Sequence, residues 1–168
     1  GAAQRMNKEN PMPKHRWLVT GASSGIGRAM VVKAASQGDS VYALDVDTNS
    51  GQALAAETGA TFIHCDASKS EAWTEVIQTM VEHGLPDRIH LNAGIQIAPP
   101  NAPLSDYQFG AMTHERYRRM MGVNVDGVVF GLEALLPHLI KGAAIVVTAN
   151  FIVDLLYVVI DPRLKARA

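Results

Sequence analysis

The feature that most constrains this chain is the run Thr20-Gly21-Ala22-Ser23-Ser24-Gly25-Ile26-Gly27-Arg28. It follows the short apolar stretch Trp17-Leu18-Val19 and precedes a helix expected from about Ile26 to Gln37, with Gly38 as its stop. A strand, a glycine turn and a helix in that order impose a specific geometry. Gly21 makes the tight turn out of the strand, Gly25 lets backbone approach a pyrophosphate, and Gly27 lets the helix pack closely on the sheet. The unpaired N–H groups at the start of the helix then face the phosphate charge. The hydroxyls of Ser23 and Ser24 can add hydrogen bonds. A Gly/Ser turn that binds nothing is the plain alternative.

The rest of the chain repeats the alternation. Val41-Tyr42-Ala43-Leu44 reads as a strand ending at Asp45, and a helix around Gly51–Glu57 leads to Gly59. Thr61-Phe62-Ile63-His64-Cys65 reads as a strand ending at Asp66. Ser68 and Glu71 have capping-box spacing, so a helix is expected to start there. Trp73, Val76, Ile77, Met80 and Val81 form its apolar face, and Gly84 and Pro86 end it. Arg88-Ile89-His90-Leu91 is a strand ending at Asn92. After a proline-rich loop (Pro99, Pro100, Pro103), Thr113 caps a long helix reaching about His138. Ala143–Val147 is the fifth strand. Strand–helix alternation of this kind predicts an α/β fold, a Rossmann-like doubly wound parallel sheet with helices on both faces in three layers, α/β/α. Ligands in such sheets bind beyond the carboxyl ends of the strands, where Gly21, Asp45, Asp66, Asn92 and Thr148 all fall.

Composition narrows the partners. Of 168 residues, 48% are apolar, enough for a core and too many for overall disorder. Fifteen Lys and Arg against sixteen Asp and Glu leave a net charge of −1, so no broad attraction to nucleic acid or anionic membrane is expected. The single cysteine, Cys65, excludes an intramolecular disulfide and fits a reducing, cytoplasmic setting. The six histidines lack metal-site spacing, so no metal is expected. The apolar stretch 142–160 is interrupted by Thr148, Asn150 and Asp154, which argues against a membrane span. Arg116, Arg118 and Arg119 with Tyr117 are expected on a solvated helix face. Residues 1–16, polar with Pro11 and Pro13, read as a flexible leader or tag remnant, and 17–168 as a dinucleotide-binding domain.

The spacing Gly-x-x-x-Gly-x-Gly in TGASSGIG, with Asp45, Cys65-Asp66-Ala67, Asn92-Ala93-Gly94 and Met121-Gly122-Val123-Asn124-Val125-Asp126-Gly127 following in order, resembles the short-chain dehydrogenase/reductase family from about Trp17 to Ala149. The resemblance implies an NAD(P)-dependent oxidoreductase moving hydride between the nicotinamide and an alcohol or carbonyl substrate. The implied cofactor-binding set is Gly21, Ser23, Ser24, Gly25, Ile26, Gly27, Asp45, Val46, Asp66, Ala67, Asn92, Ala93 and Gly94. Asp45 would accept from the adenosine ribose hydroxyls and repel a 2′-phosphate. Ser24 stands where NADP-preferring relatives often carry a basic residue. NAD is therefore expected over NADP, unless Asp45 only caps the next helix. Asp66, with Ala67, resembles the family's adenine contact, a plain turn being the alternative, and Asn92 could be purely structural. Asn124 resembles the catalytic Asn that holds a water in the proton relay. A homodimer or homotetramer is implied, with Val128, Val129, Leu132, Leu135 and Leu136 supplying apolar surface.

One part of the pattern is missing. Asn150 occupies the place of the family's Ser, and in ungapped register Arg163 and Arg167 occupy those of its Tyr and Lys. Guanidinium stays protonated and cannot do the Tyr's work. Tyr157 lacks a Lys four residues on, since Asp161 stands there. Only 18 residues follow Asn150, so the domain is expected to be incomplete or degenerate at its C-terminal side. A catalytically inactive nucleotide-binding fragment or pseudoenzyme is the alternative function. The proline-rich loop is expected to border the substrate, with Tyr107 and Phe109 affecting its affinity.

Overall fold

The computed structural model describes residues 14–148. Five parallel strands form one sheet: β1 (Arg16–Thr20), β2 (Ser40–Asp45), β3 (Thr61–His64), β4 (Arg88–Leu91) and β5 (Ala144–Val147). Their spatial order is β3-β2-β1-β4-β5. Strand order therefore reverses between β1 and β4, the switch point at which such sheets open a crevice for ligands.

Side-chain alternation along the strands builds two cores. Leu18, Tyr42, Leu44, Ile63, Ile89 and Leu91 face Trp73, Val76 and Met80 of α3 (Trp73–His83) and Leu135 of α5 (Gly127–Leu135). Val19, Val41 and Ala43 face Val31 and Ala34 of α1 (Gly25–Ser36) and Leu54 of α2 (Thr48–Thr58). The sheet is thus covered on both faces, as its sequence pattern requires. Each fully buried large apolar side chain contributes roughly 1.5–3 kcal/mol.

Element boundaries depart from the sequence reading where local chemistry intervenes. Arg16 already belongs to β1, and His15 is pinned beside it, so order begins before Trp17. α2 starts at Thr48, not near Gly51, because the Asp47 carboxylate accepts from the Ser50 N–H at 3.0 Å. That assigns the cap to Asp47 and leaves Asp45 free of the role. The Ser68–Glu71 capping box does not form. Ser68 instead donates its hydroxyl to Asp66 Oδ1 at 2.6 Å, and a 3₁₀ turn (Ser70–Ala72) leads into α3. The long helix after Thr113 is helical from His114 to His138 but not uniform. α4 (His114–Met121), capped by the Thr113 side chain, passes through a π-helical turn (Gly122–Asp126) into α5 and a closing 3₁₀ turn. By length and composition this 25-residue run is apolar enough to cross a membrane. Its buried residues are Met120, Gly127, Gly131 and Leu135, with Gly131 against Trp73 and Leu91 and Leu135 in the core with β4 and α3. Leu135 is therefore core, not a surface for a partner, whereas Val129 and Leu136 are exposed. The exposed Val146 and Val147 on β5 leave that edge apolar among the described residues. The candidate span 142–160 lies mostly outside them.

Asp87 ties the N-terminal ends of β1 and β4 together. It accepts from the Arg16 N–H at 2.8 Å and pairs with His15 Nδ1 at 2.7 Å. Burial pushes its pKa up, but the His15 ring, the Arg16 N–H and Arg88 outweigh that and hold the carboxyl below its usual 3.8. A depressed folded-state value means the stabilisation is complete above the unfolded pKa and disappears as pH falls through the folded one. Asp87→Asn should therefore be less stable than the parent at pH 6 and lose less stability on acidification to about pH 3. Urea melts at both values measure this, and equal acid losses would contradict it.

Candidate functional site

The carboxyl ends of β1, β2, β3 and β4 border a cleft of about 1110 Å³. That is slightly above the roughly 300–1,000 Å³ usual for small-molecule sites, room for an extended ligand. Its floor is the glycine turn. Gly25 and Ile26 open α1 behind Ser24, whose extended backbone gives no side-chain cap, and the first turn holds no acidic residue. The N–H groups of that turn and the positive end of the helix dipole are left for an anion.

The two later glycines of the turn serve different ends. A Cβ on Gly25 would meet nothing within 4 Å, so the space it would enter belongs to the cleft. A Cβ on Gly27 would lie 2.0 Å from the Gly21 carbonyl oxygen and 2.8 Å from Asn92 Nδ2. Gly27 therefore lets the helix touch its own loop. It is buried and does not line the cleft.

Thr20 joins the two strands at the switch point. Its hydroxyl oxygen accepts from the N–H groups of both Asn92 and Ala93 at 2.9 Å. Asn92 returns the contact by donating Nδ2 to the Thr20 carbonyl at 3.2 Å. This supports the structural reading of Asn92, which also lines the cleft. Its Oδ1 and the Ser23 hydroxyl are buried with no protein partner.

Asp45 ends β2 at the cleft wall. Its carboxylate accepts from the Ser23 N–H at 2.8 Å and the Asp47 N–H at 3.0 Å, which hold it against the glycine turn. Each oxygen keeps a lone pair for a ligand. Val46 beside it is 57% exposed, as is Ile26 across the turn, so apolar surface faces the opening. Asp66 anchors its own turn by accepting from the Ser68 N–H at 3.0 Å as well as from the Ser68 hydroxyl. The turn role is therefore present, and Asp66 and Ala67 still line the cleft. Cys65 lines the cleft beside them but is almost wholly buried, and burial pushes its thiol up to about 12, which leaves it unreactive.

Of the residues expected to bind the cofactor, the cleft brings together Gly21, Ser24, Gly25, Ile26, Asp45, Val46, Asp66, Ala67, Asn92, Ala93 and Gly94. Ser23 stands behind the lining through its backbone bond to Asp45. Asn124 is elsewhere. From the π-helical turn it accepts from the Ile95 N–H at 2.8 Å and donates to the Ile95 carbonyl at 2.9 Å. Both ends of its amide are committed to clamping the loop after β4. Tyr107 does not border the cleft, because its hydroxyl donates to the Pro99 carbonyl. The side chain of Phe109, and Asn150, Tyr157, Asp161, Arg163, Lys165 and Arg167, lie outside the described residues.

One wall was not anticipated. His114, Glu115, Arg118, Arg119, Gly122, Val123 and Asp126 recur at helical spacing and line the cleft together with Lys69. Arg118 and Arg119 are thus cleft residues and not only a solvated face. Only Arg116 turns away, to Asp106 at 3.2 Å. The hint was the Thr113 cap, which starts α4 at the same end of the sheet as the strand termini. Among the described residues no group of three His, Cys, Asp or Glu is placed to hold a metal ion.

The groups present fit a dinucleotide. An uncapped helix start, the open space at Gly25 and Asn92, whose amide oxygen has no protein partner, all belong to one cleft. The architecture is that of a Rossmann-type nucleotide-binding domain. Residues 16–152 match the family model described as short chain dehydrogenase, and the chain belongs to that family. An uncharacterized oxidoreductase of Listeria monocytogenes is 32% identical over 148 residues, covering 79% of this chain and 54% of that protein. The structure of 3-ketoacyl-(acyl-carrier-protein) reductase from Brucella melitensis complexed with NADH matches with a TM-score of 0.65 and 31% identity. It covers 75% of this chain and 50% of that one. A blue fluorescent protein from a metagenomic library in complex with NADPH matches with a TM-score of 0.68 and 27% identity, covering 80% and 55%. The chain spans about half the length of the curated relatives it matches.

Proposed function

We propose that the cleft binds NAD(H) and that the protein is an NAD(P)-dependent oxidoreductase acting on a small alcohol or carbonyl compound. The observation that carries this is the convergence of the uncapped α1 start, the glycine turn and the Asp45 carboxylate on one cleft at the switch point. The bound nicotinamide would supply hydride chemistry. The chain's own residues bind and orient. The α1 N-terminus holds the diphosphate, Asp45 the adenosine ribose, and Ala67 and Asp66 border the base. Asn124 is a positioning residue, holding Ile95 and with it the loop that closes the cleft beside Gly94. Small-molecule partners, a cytoplasmic setting and self-association through the exposed Val129 and Leu136 belong to the same reading.

NAD is proposed over NADP because a second negative group beside Asp45 is repelled, whichever nicotinamide cofactor the relatives hold. Asp45→Asn keeps the shape and removes the charge. It should shift the ratio of NADPH to NADH affinity about tenfold toward NADPH, measured as two dissociation constants. An unchanged ratio would sink the preference. A second reading, binding without turnover, is favoured by Asn150, Arg163 and Arg167 at the positions of the family's Ser, Tyr and Lys. NADH oxidation over a panel of ketones and aldehydes separates the two. Turnover supports the oxidoreductase, and saturable NADH binding with no turnover supports the second.

A further inference from the structure

We propose that Arg118 and Arg119 of α4, with Lys69, form a cationic wall at the adenosine end of the cleft and hold the ADP half of the dinucleotide. This rests on the dinucleotide-binding reading above. Close contacts place the wall. A Cβ on Gly122 would lie 3.6 Å from Ser68 Cβ, and one on Gly127 would lie 3.3 Å from Ala67 Cβ. The helix therefore descends past the turn that follows β3, on the Asp66 side of the cleft. Arg118 is four residues before Gly122, on the same helix face and about one turn, roughly 6 Å, nearer the open end. Lys69 stands on the β3 turn itself, its N–H donating to the Asp66 carbonyl at 3.0 Å.

The charges on this wall are uncommitted. Arg118, Arg119 and Lys69 form no ion pair among the described residues, whereas Arg116 on the same helix pairs with Asp106. Glu115, one turn before Arg119, shares the wall and pairs with neither arginine. A guanidinium is planar and weakly hydrated, and it stacks on a π-face while keeping its charge. Adenine supplies the face, and the diphosphate at the α1 N-terminus supplies charge that all three cations attract. Helical periodicity placed these arginines together, but only the packing of Gly122 on Ser68 shows which end of the cleft they serve.

Calorimetric titration of the full chain with ADP-ribose, adenosine and nicotinamide mononucleotide tests the wall. The Arg118→Ala/Arg119→Ala variant should bind ADP-ribose and adenosine about five- to tenfold more weakly and bind nicotinamide mononucleotide within about twofold of the parent. The Arg118→Lys/Arg119→Lys variant keeps charge and loses the planar face. It should lose adenosine affinity while retaining the salt dependence of ADP-ribose binding, and it carries the test should the alanine variant not fold. ADP-ribose and adenosine binding within about twofold of the parent in either variant would overturn the proposal. A folded parent chain that binds no ADP-ribose would overturn the dinucleotide reading itself.

Discussion

Gly27→Ala is expected to be the most damaging single-methyl addition in the chain. The new Cβ would sit 2.0 Å from the Gly21 carbonyl oxygen, a backbone atom that cannot rotate away. Relief requires α1 to lift from the turn, and the same Cβ, 2.8 Å from Asn92 Nδ2, presses on the amide that donates to the Thr20 and Gly21 carbonyls. Overpacking of this kind costs about 3 kcal/mol, roughly 10 °C in melting temperature for a chain of this size. Dinucleotide binding should fall with it, because the helix start and the turn move together. Gly25→Ala is the matched control. Its Cβ meets no protein atom, and the positive φ of 51° is the main strain, of about 1 kcal/mol. That variant should melt close to the parent and lose affinity, since the methyl enters the ligand's space. Thermal melts and NADH titrations on both variants check the pair. A Gly27→Ala chain as stable as Gly25→Ala would refute the division of roles.

Thr20→Val should be nearly as costly for a different reason. The substitution keeps shape and removes one oxygen, and that oxygen accepts two buried N–H groups, those of Asn92 and Ala93. Each orphaned donor costs about 1–3 kcal/mol, so a loss near 3 kcal/mol is expected. Thr20→Ser keeps the hydroxyl and should cost only about 1 kcal/mol for the missing methyl. Denaturant melts of the two variants decide the matter, and equal losses would show that the hydroxyl is not what joins β1 to β4. The same bond orders the start of the loop that holds Ala93 and Gly94 against the cleft, so fold stability and site geometry are coupled at this one side chain.

The strands and their parallel arrangement were legible because each is a short apolar run ending at a polar or glycine residue, and because alternating helices favour a parallel sheet. The glycine turn and Asp45 were legible from spacing alone. What escaped the sequence depended on competition between partners. Ser68 had the right offset for a capping box, yet its hydroxyl donates to the Asp66 carboxylate two residues before it, and Lys69 takes the cap position. Asn124 lay in a helical pattern whose periodicity gave no sign of a π-helical turn, and that turn aims the amide at Ile95. Arg118 and Arg119 read as solvated because composition cannot say which face of a helix overlooks a cleft. The packing of Gly122 and Gly127 on the β3 turn determines that. Burial of Leu135 against Leu91 and Trp73 likewise depends on a crossing that a helical wheel does not contain.

Dinucleotide binding in the cleft is the central expectation for this chain. Fluorescence titration of the 168-residue chain with NADH, read through both nicotinamide emission and quenching of Trp17 and Trp73, tests that claim most directly. Saturable binding with a dissociation constant between about 1 µM and 1 mM is predicted, competed by ADP-ribose and weakened in Gly25→Ala. A chain that melts cooperatively and yet shows no saturable NADH or NADPH binding up to several times the upper end of that range would contradict it.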